Sequence, residues 1–422
     1  MIASCRTFSA LAATVALLAA LVGCTSSPDG VLSNGSTSPV VLISLDGFAA
    51  QYFERYPDAM PNLQRLRREG VAAQGLISVF PSNTFPSHYT LVTGLYPAQH
   101  GIINNEFFDP TKGKFFRYTQ DASVADPSWW SGEPIWVTAI KQGKLAATSF
   151  WVGSEAAIGG VRPTYWKVFD AALPFEIRLE EFVGWLKKPV EQRPAFITFY
   201  LEEINGVGHR FGPRSPELLA AIKLVDTRVG ELLQQCESLG FTPNVVIVSD
   251  HGMVAVDPQR VSILEDFIDT SSVQIEAEGS VVGLRPLNGD ISDLLERLHR
   301  IPHAKAHRAE DLPAAFRWSE NPRWPPVWVL PDEGAHVARR AVVERLQKRY
   351  PHHGYLPGDH GYDPFLPAMQ GIFIAHGPAF RNAVSLPRVE SVHVYNLLCA
   401  VLGVKPAANS GDDRLVRGSL RN

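Results

Sequence analysis

The chain has 422 residues, of which 45% are hydrophobic and 19% charged, and its formal net charge is −4. This is a globular composition with room for one large α/β domain or two smaller ones. A charge so near balance gives no electrostatic reason to expect binding to a nucleic-acid polymer or to a membrane surface.

The N-terminal segment has the pattern of a secretory signal. One Arg precedes an apolar stretch, and small residues then lead to Cys24. The stretch is shorter than the roughly 20 residues that a spanning helix prefers, so an uncleaved anchor is the lesser alternative. The letters LVGC resemble the bacterial lipobox, which implies a signal peptide over residues 1–23 and lipid attached to Cys24. Because Thr25 rather than Asp follows, we expect a periplasmic lipoprotein anchored to the outer membrane.

The folded part of the chain is expected to begin after a tether. Residues 24–38 are polar and predict a flexible linker. A catalytic domain is expected over residues 39–405, followed by a C-terminal tail over 406–422. Within the domain, residues about 258–350 have weaker strand signals and predict an inserted, smaller α+β subdomain.

The elements of the expected domain alternate between strands and helices. Apolar runs predict strands ending near Asp46, before Glu202 and before Asp250, and amphipathic stretches between them predict helices. Near-continuous apolar strands alternating with helices indicate a mostly parallel central sheet with helices on both faces. In such sheets ligands collect at the carboxyl ends of the strands.

Two cysteines remain once the signal and the lipidated residue are set aside. Cys236 and Cys399 lie on apolar, helix-like segments. They could form a disulfide or remain as buried thiols. A cysteine nucleophile or a cysteine-ligated metal is not expected.

Several oxygen and nitrogen donors fall at strand ends or in Gly-rich turns. They are Asp46, His209, Asp250, His251 and His360. Carboxylate and imidazole without thiolate suit zinc at a catalytic site. A single D-H-G triplet is more often a turn with a packed histidine, but several such donors at the edge of one sheet favour a metal centre.

Thr84 is a candidate nucleophile. It stands where a helix is expected to begin, so that the amide groups and dipole of the helix end would favour an oxyanion there. The alternative is that Thr84, Ser82 or Ser87 caps the helix. The residues alone leave both possibilities open.

Five motifs in this order resemble the nucleotide pyrophosphatase/phosphodiesterases of the alkaline phosphatase superfamily. They read LISLDGF, NTFPSHYTLVTGLYPAQHGIINNEF, FYLEEINGVGHRFGP, IVSDHGM and GDHGYDP, and the resemblance spans roughly residues 40–405. It implies an alkaline-phosphatase-like α/β fold and two Zn²⁺ per chain.

The resemblance also implies a role for each matching residue. One zinc would be held by Asp46, Thr84, Asp250 and His251, with Thr84 as the nucleophile. The ligands of the other zinc would include His209 and His360. Asn105 would hold a phosphoryl oxygen, and Phe85 and Tyr200 would be aromatic positions that enclose a base in nucleotide-cleaving members.

Asn205 departs from the family pattern, which has Asp four residues before the histidine. A carboxamide oxygen can bind zinc, but the site loses a negative charge, so weaker binding of the second zinc is expected. Asn205 could be a poorer ligand, Glu202 or Glu203 could move in to compensate, or the chain could be a weakened or repurposed member.

The sequence therefore predicts a zinc-dependent phosphodiesterase or nucleotide pyrophosphatase that works through a phosphothreonine. Its expected substrate is a small phosphodiester, a nucleotide in the favoured case. The alternatives are a phosphodiesterase of phospholipid head groups, a phosphomonoesterase with the same metal core, and a binding protein with little turnover.

Overall fold

The structure, a computed structural model, describes residues 38–288 and 290–421. The predicted signal peptide, Cys24 and all but the last residue of the predicted tether lie outside the described residues.

A seven-stranded sheet forms the centre of the fold. Across the sheet its strands are Val384–Leu386, Val71–Ala73, Phe373–His376, Asn244–Val248, Val40–Leu45, Phe196–Leu201 and Ala146–Ser149. Phe373–His376 is antiparallel to both of its neighbours, and the other pairs are parallel. The predicted, mostly parallel sheet is therefore present.

Helices cover both faces of this sheet, which explains why its central strands are mostly apolar and buried. Along the first strand, Val40 and Leu42 enter one hydrophobic core, whereas Val41 and Ile43 enter another. The α-helices of the described residues are Tyr52–Arg55, Pro61–Glu69, Thr84–Thr93, Pro97–His100, Asp121–Val124, Ile135–Lys141, Phe175–Leu186, Glu203–Phe211, Pro216–Ser238, Ile291–Leu298, Arg340–Arg349, Val394–Leu402 and Arg414–Ser419.

The two faces carry different helices. Thr84–Thr93 and Val394–Leu402 contribute to the core that contains Val40. Pro61–Glu69 and Pro216–Ser238 contribute to the opposite core. The result is a helix–sheet–helix sandwich.

A separate four-stranded antiparallel sheet lies within the range predicted for the inserted subdomain. Its strands, in spatial order, are Val273–Ala277, Val282–Pro286, Val327–Pro331 and Ala304–Arg308. With the helix Ile291–Leu298 it encloses a hydrophobic core of its own.

The remaining strands are short and pair with one another in two-stranded sheets outside the two larger sheets. They are Leu76–Ile77, Glu106–Asp109, Lys114–Arg117, Val254–Ala255, Val261–Ile263, His336–Ala338, Gly358–Asp359 and Val389–Glu390. The segment predicted as a C-terminal tail contains the helix Arg414–Ser419, which buries Leu415 against the rest of the protein.

The two remaining cysteines are buried, free thiols. Cys236 belongs to one hydrophobic core and Cys399 to the other, so they do not form the disulfide that the sequence left open. In the part of the chain that the structure describes, no helix combines the length and the apolar character needed to cross a membrane.

Candidate metal centre and substrate cleft

Two adjacent, parallel strands bring the first group of donors together. Val40–Leu45 ends immediately before Asp46, and Asn244–Val248 ends two residues before Asp250. Because parallel strands end at the same edge of a sheet, Asp46, Asp250 and His251 converge there. One ligand atom from each lies within 4.8 Å of the others, and all three side chains are buried.

The ring of His251 is the centre of this group. Its Nε2 lies 3.0 Å from Asp250 Oδ2, 3.5 Å from Asp46 Oδ1 and 3.3 Å from Thr84 Oγ1. Two carboxylates, one imidazole and one hydroxyl therefore face a common point.

Thr84 is the first residue of its helix and does not occupy the capping position. The residue at that position is Asn83, which has an extended backbone. The next amide in the chain, that of Phe85, donates to Asn105 Oδ1 at 2.9 Å. This contact orients the Asn105 side chain at the helix N-terminus, with its amide nitrogen as a donor. The hydroxyl of Thr84 is thus directed to the cluster rather than used as a cap.

The three histidines that the sequence predicted as ligands share one orientation. Nδ1 of each faces a backbone carbonyl: His209 that of Gly358 at 2.9 Å, His251 that of Gly252 at 2.9 Å, and His360 that of Ser82 at 3.1 Å. A proton on Nδ1 leaves Nε2 as the coordinating atom, which is the usual arrangement of metal-binding histidines.

The same orientation argues against a serine-protease-like triad. In a triad the carboxylate binds Nδ1 while Nε2 serves the nucleophile. Here Asp46, Asp250 and Thr84 all lie on the Nε2 side of His251. Convergence of acceptors on one point is the pattern of a cation site.

A second group lies beside the first. Ligand atoms of His209, Asp359 and His360 lie within 4.8 Å of one another. The rings of His251 and His360 are stacked with centroids 3.6 Å apart, and those of His209 and His360 are 4.9 Å apart. The donors therefore form two adjacent groups.

Asn205 faces this pair of groups from the helix Glu203–Phe211. It lies four residues before His209, so both side chains are on the same side of the helix. A Cβ on Gly47 would lie 3.1 Å from the Cα of Asn205, and Gly47 has a φ of 72°. A glycine is needed there, because the turn after Asp46 is left-handed and passes directly against the helix.

The electrostatics of the first group favour a bound cation. Burial raises the pKa of Asp46 to about 7, and the charge of Asp250 acts in the same direction. Burial lowers the pKa of His251, but the charge of Asp250 outweighs it and raises that pKa to about 9. Two buried carboxylates this close repel each other, and a divalent cation would relieve the repulsion.

The residues present fit zinc. Among the described residues, Asp46 Oδ1 and Asn205 Oδ1 are buried and receive no hydrogen bond. Unpaired buried acceptors are costly, and both residues line the same cleft as His209 and His360. Carboxylate, carboxamide and imidazole donors with no thiolate suit a catalytic zinc centre.

Neither glutamate considered as a substitute for the missing carboxylate is directed to the centre. Glu203 forms an ion pair with Arg228, and Glu202 lies 3.8 Å from Arg178. Compensation by these glutamates is therefore not supported by the structure.

Asp359 is a group that the site predictions missed. It stands next to His360, its Oδ1 is 3.5 Å from His209 Nδ1, and its Oδ2 is 3.1 Å from His336 Nε2. Burial raises the pKa of Asp359, but the hydrogen bond and charge of His336 outweigh burial and hold that pKa below its usual range. The repeated D-H-G triplet is the signal in the sequence, since Asp359 stands in the second copy where Asp250 stands in the first.

A cleft of about 340 Å³ opens from the centre and has aromatic walls. Phe85 lines it from the helix that begins with Thr84. Phe169 lines it from a loop, and 45% of the surface of this phenylalanine is exposed. Phe169 was not predicted, because no periodic pattern marks the loop. The cleft also includes Asn105, so its apolar walls meet the polar centre.

Tyr200 also lines the cleft, but its hydroxyl is already engaged. It donates a hydrogen bond to Asp46, and its ring lies edge-on to that of Phe169 with centroids 6.1 Å apart. Tyr200 therefore orients a predicted metal ligand with its hydroxyl and packs against Phe169 with its ring.

A family model describing type I phosphodiesterase/nucleotide pyrophosphatase matches residues 40–363. The chain belongs to this family. The match covers more than half of the sequence and confirms the resemblance that the motifs indicated.

Solved structures agree with the fold as well. Human ectonucleotide pyrophosphatase/phosphodiesterase 5 superposes with a TM-score of 0.83 at 30% identity, covering 91% of this chain and 100% of that one. An inactive variant of the murine protein, solved in complex with AMP, gives a TM-score of 0.84 at 28% identity with the same coverage. The predicted alkaline-phosphatase-like α/β fold is confirmed.

Among curated relatives, a venom phosphodiesterase from Macrovipera lebetinus is 36% identical over 398 residues, which cover 91% of this chain and 45% of the relative. Ectonucleotide pyrophosphatase/phosphodiesterase family member 3 from Bos taurus is 34% identical over 396 residues, 91% of this chain and 44% of the relative. The chain thus spans about half the length of the curated relatives it matches.

Proposed function

We propose that this protein is a metal-dependent phosphodiesterase that hydrolyses phosphodiester or pyrophosphate bonds of small substrates. The observation that carries the proposal is the convergence of the Thr84 hydroxyl with Asp46, Asp250 and His251. The second donor group around His209 and His360, directly beside the first, supports a two-metal site.

Two zinc ions per chain fit these groups. Asp46, Thr84, Asp250 and His251 would hold one, and Asn205, His209 and His360 would hold the other. Bound there, zinc would lower the pKa of the threonine hydroxyl and stabilise charge on the entering and leaving oxygens.

Thr84 carries the covalent step. Its Oγ1 attacks phosphorus and gives up its proton to solvent, the bond from phosphorus to the leaving oxygen breaks, that oxygen takes a proton from solvent, and a phosphothreonine forms. Water then attacks the same phosphorus, which releases the phosphorylated product and restores the hydroxyl. Asn105 donates to a phosphoryl oxygen without adding positive charge, which suits the single negative charge of a diester.

A nucleotide is the favoured substrate. The apolar cleft with Phe85 and Phe169 on its walls is suited to a flat, aromatic group next to the reacting phosphate. The AMP complex of the similar murine protein supports this choice.

A substrate panel tests the proposal. We expect zinc-loaded protein to cleave p-nitrophenyl thymidine monophosphate faster than p-nitrophenyl phosphate or a choline lysolipid. Thr84→Ala should abolish turnover. Preference for the monoester or the lysolipid would favour the alternative substrates, and activity on none would favour a binding protein. Activity that survives Thr84→Ala would contradict the assignment of the nucleophile.

We also propose that Cys24 carries lipid and anchors the protein to the bacterial outer membrane from the periplasmic side. The support is the LVGC sequence and the threonine after it. In bacteria labelled with a clickable fatty acid, the wild type should carry label in the outer-membrane fraction. Cys24→Ala should carry none, and equal labelling of the two would contradict the proposal.

A further inference from the structure

The second donor group has one carboxylate in the structure, and it is not at position 205. The side chain of Asn205 is neutral, whereas the carboxylate of Asp359 lies 3.5 Å from His209 Nδ1. Its carboxylate is within 4.8 Å of ligand atoms on both His209 and His360. A negative charge is therefore present at this group, supplied from a different element of the fold.

The position of Asp359 is fixed by neighbours on both sides. One oxygen lies 3.5 Å from His209 Nδ1 and the other 3.1 Å from His336 Nε2. His336 is buried and its Nδ1 lies 3.4 Å from the hydroxyl of Tyr355. His336 therefore stands between the two groups, with Nδ1 facing the Tyr355 hydroxyl and Nε2 facing Asp359 Oδ2.

A carboxylate behind a ligand histidine affects the metal in two ways. His209 Nδ1 faces the Gly358 carbonyl at 2.9 Å, so Asp359 acts on this ring by its charge, which makes the coordinating nitrogen more basic. Removing a carboxylate from behind a ligand histidine typically costs about 10–100-fold in metal affinity. The charge of Asp359 also acts directly on the cation across a distance of a few ångströms in a site shielded from water.

We propose that Asp359, positioned by His336, supplies the negative charge of the second metal centre in place of the carboxylate that position 205 lacks. The inference rests on the proposed two-metal function and extends it to a positioning residue outside the ligand set. In this proposal the charge comes from the strand Gly358–Asp359 rather than from position 205 on the helix Glu203–Phe211.

A charge-exchange experiment tests the proposal by metal binding rather than turnover. Zinc is titrated calorimetrically into metal-free wild type, Asp359→Asn, Asn205→Asp and the double variant. We expect Asp359→Asn to weaken the second site about 10–100-fold and to leave the first unchanged. The zinc affinity of the second site in the double variant should be within a few-fold of the wild-type affinity, because Asn205→Asp restores one negative charge at the centre.

Asp363→Asn is the matched control, since it removes one charge from an exposed residue of the same loop. His336→Gln should weaken the second site in the same direction as Asp359→Asn. If Asp359→Asn does not fold, the double variant decides: a folded protein with two zinc sites supports the proposal, and one with a single site overturns it.

Unchanged second-site affinity in Asp359→Asn, or the same loss in Asp363→Asn, would overturn the role of Asp359. A wild-type protein that binds no zinc would instead contradict the proposed function itself. The two failures are thereby distinguished.

Discussion

Asn205 stands where the resemblance to the family implies an Asp, and the structure leaves its Oδ1 buried without a hydrogen-bond donor. A neutral oxygen is a weaker zinc ligand than a carboxylate. Two unit charges 4 Å apart still interact by about 4 kcal/mol at an effective dielectric constant of 20, so one added charge there has a large effect.

Asn205→Asp is therefore expected to tighten the second zinc site by about tenfold or more, and to raise phosphodiesterase turnover at limiting zinc. Zinc content after mild dialysis, measured by mass spectrometry, checks the first effect, and the substrate assay checks the second. Two zinc ions fully retained by the wild type after the same dialysis would show that its second site is not weakened. Unchanged zinc binding and unchanged turnover in the variant would count against position 205 as a ligand.

The first group predicts a pH dependence of metal binding. Asp46 and His251 must lose their protons to bind zinc, and their pKa values in the metal-free protein are about 7 and about 9. Apparent zinc affinity should thus rise from pH 6 to pH 9, with protons released on binding. Calorimetry in two buffers of different ionisation enthalpy measures the release, and an affinity that is independent of pH would contradict it.

The same shifts set the stability of the metal-free protein. Both pKa values lie above the ordinary values of 3.8 for an aspartic acid and 6.5 for a histidine, so the folded state binds more protons than the unfolded chain between the ordinary and the raised pKa of each group. The contribution of His251 to the free energy of unfolding is fully present below pH 6.5 and is lost as the pH rises through 9. The contribution of Asp46 is fully present below pH 3.8 and is lost as the pH rises through 7.

At the scale of elements, one close contact positions the second donor group. The helix Glu203–Phe211 carries Asn205 and His209, and it passes so near Gly358 that a Cβ there would lie 2.5 Å from the carbonyl oxygen of Gly208. The His209 ring depends on the same contact, because its Nδ1 faces the Gly358 carbonyl.

Gly358→Ala should push this helix away and destabilise the metal-free protein by about 1–3 kcal/mol, with a weaker second zinc site. Urea unfolding and zinc titration measure the two effects. Gly206→Ala is the control in the same helix, since its Cβ would meet nothing within 4 Å, and it should stabilise the helix by up to about 1 kcal/mol. Equal stability of the two variants would contradict the packing role of Gly358.

The walls of the cleft come from two different elements, a helix start with Phe85 and a loop with Phe169. If a base lies between them, Phe169→Ala should raise KM for a nucleotide diester about tenfold, because stacking on one aromatic side chain contributes about 1–3 kcal/mol. Hydrolysis of p-nitrophenyl phosphate should change little. Phe365→Ala, at an exposed phenylalanine that does not line the cleft, is the control, and an equal effect of both variants on KM would contradict the role of Phe169.

For the whole molecule, the fold was predictable because the central strands are buried on both faces and therefore read as continuous apolar runs. The first donor group was predictable for a related reason, since Asp46 directly follows one such strand and Asp250 comes two residues after another. Asp359 and Phe169 were not predicted. Asp359 acquires its role through His336 of a short strand, and Phe169 reaches the cleft from a loop, so neither contact leaves a periodic pattern in the sequence.

Zinc anomalous diffraction from crystals of the zinc-loaded protein tests the two-metal centre most directly. We expect two anomalous peaks, one among Asp46, Thr84, Asp250 and His251 and the other at His209 and His360. A single peak, or peaks away from these side chains, would contradict the two-metal interpretation of the site.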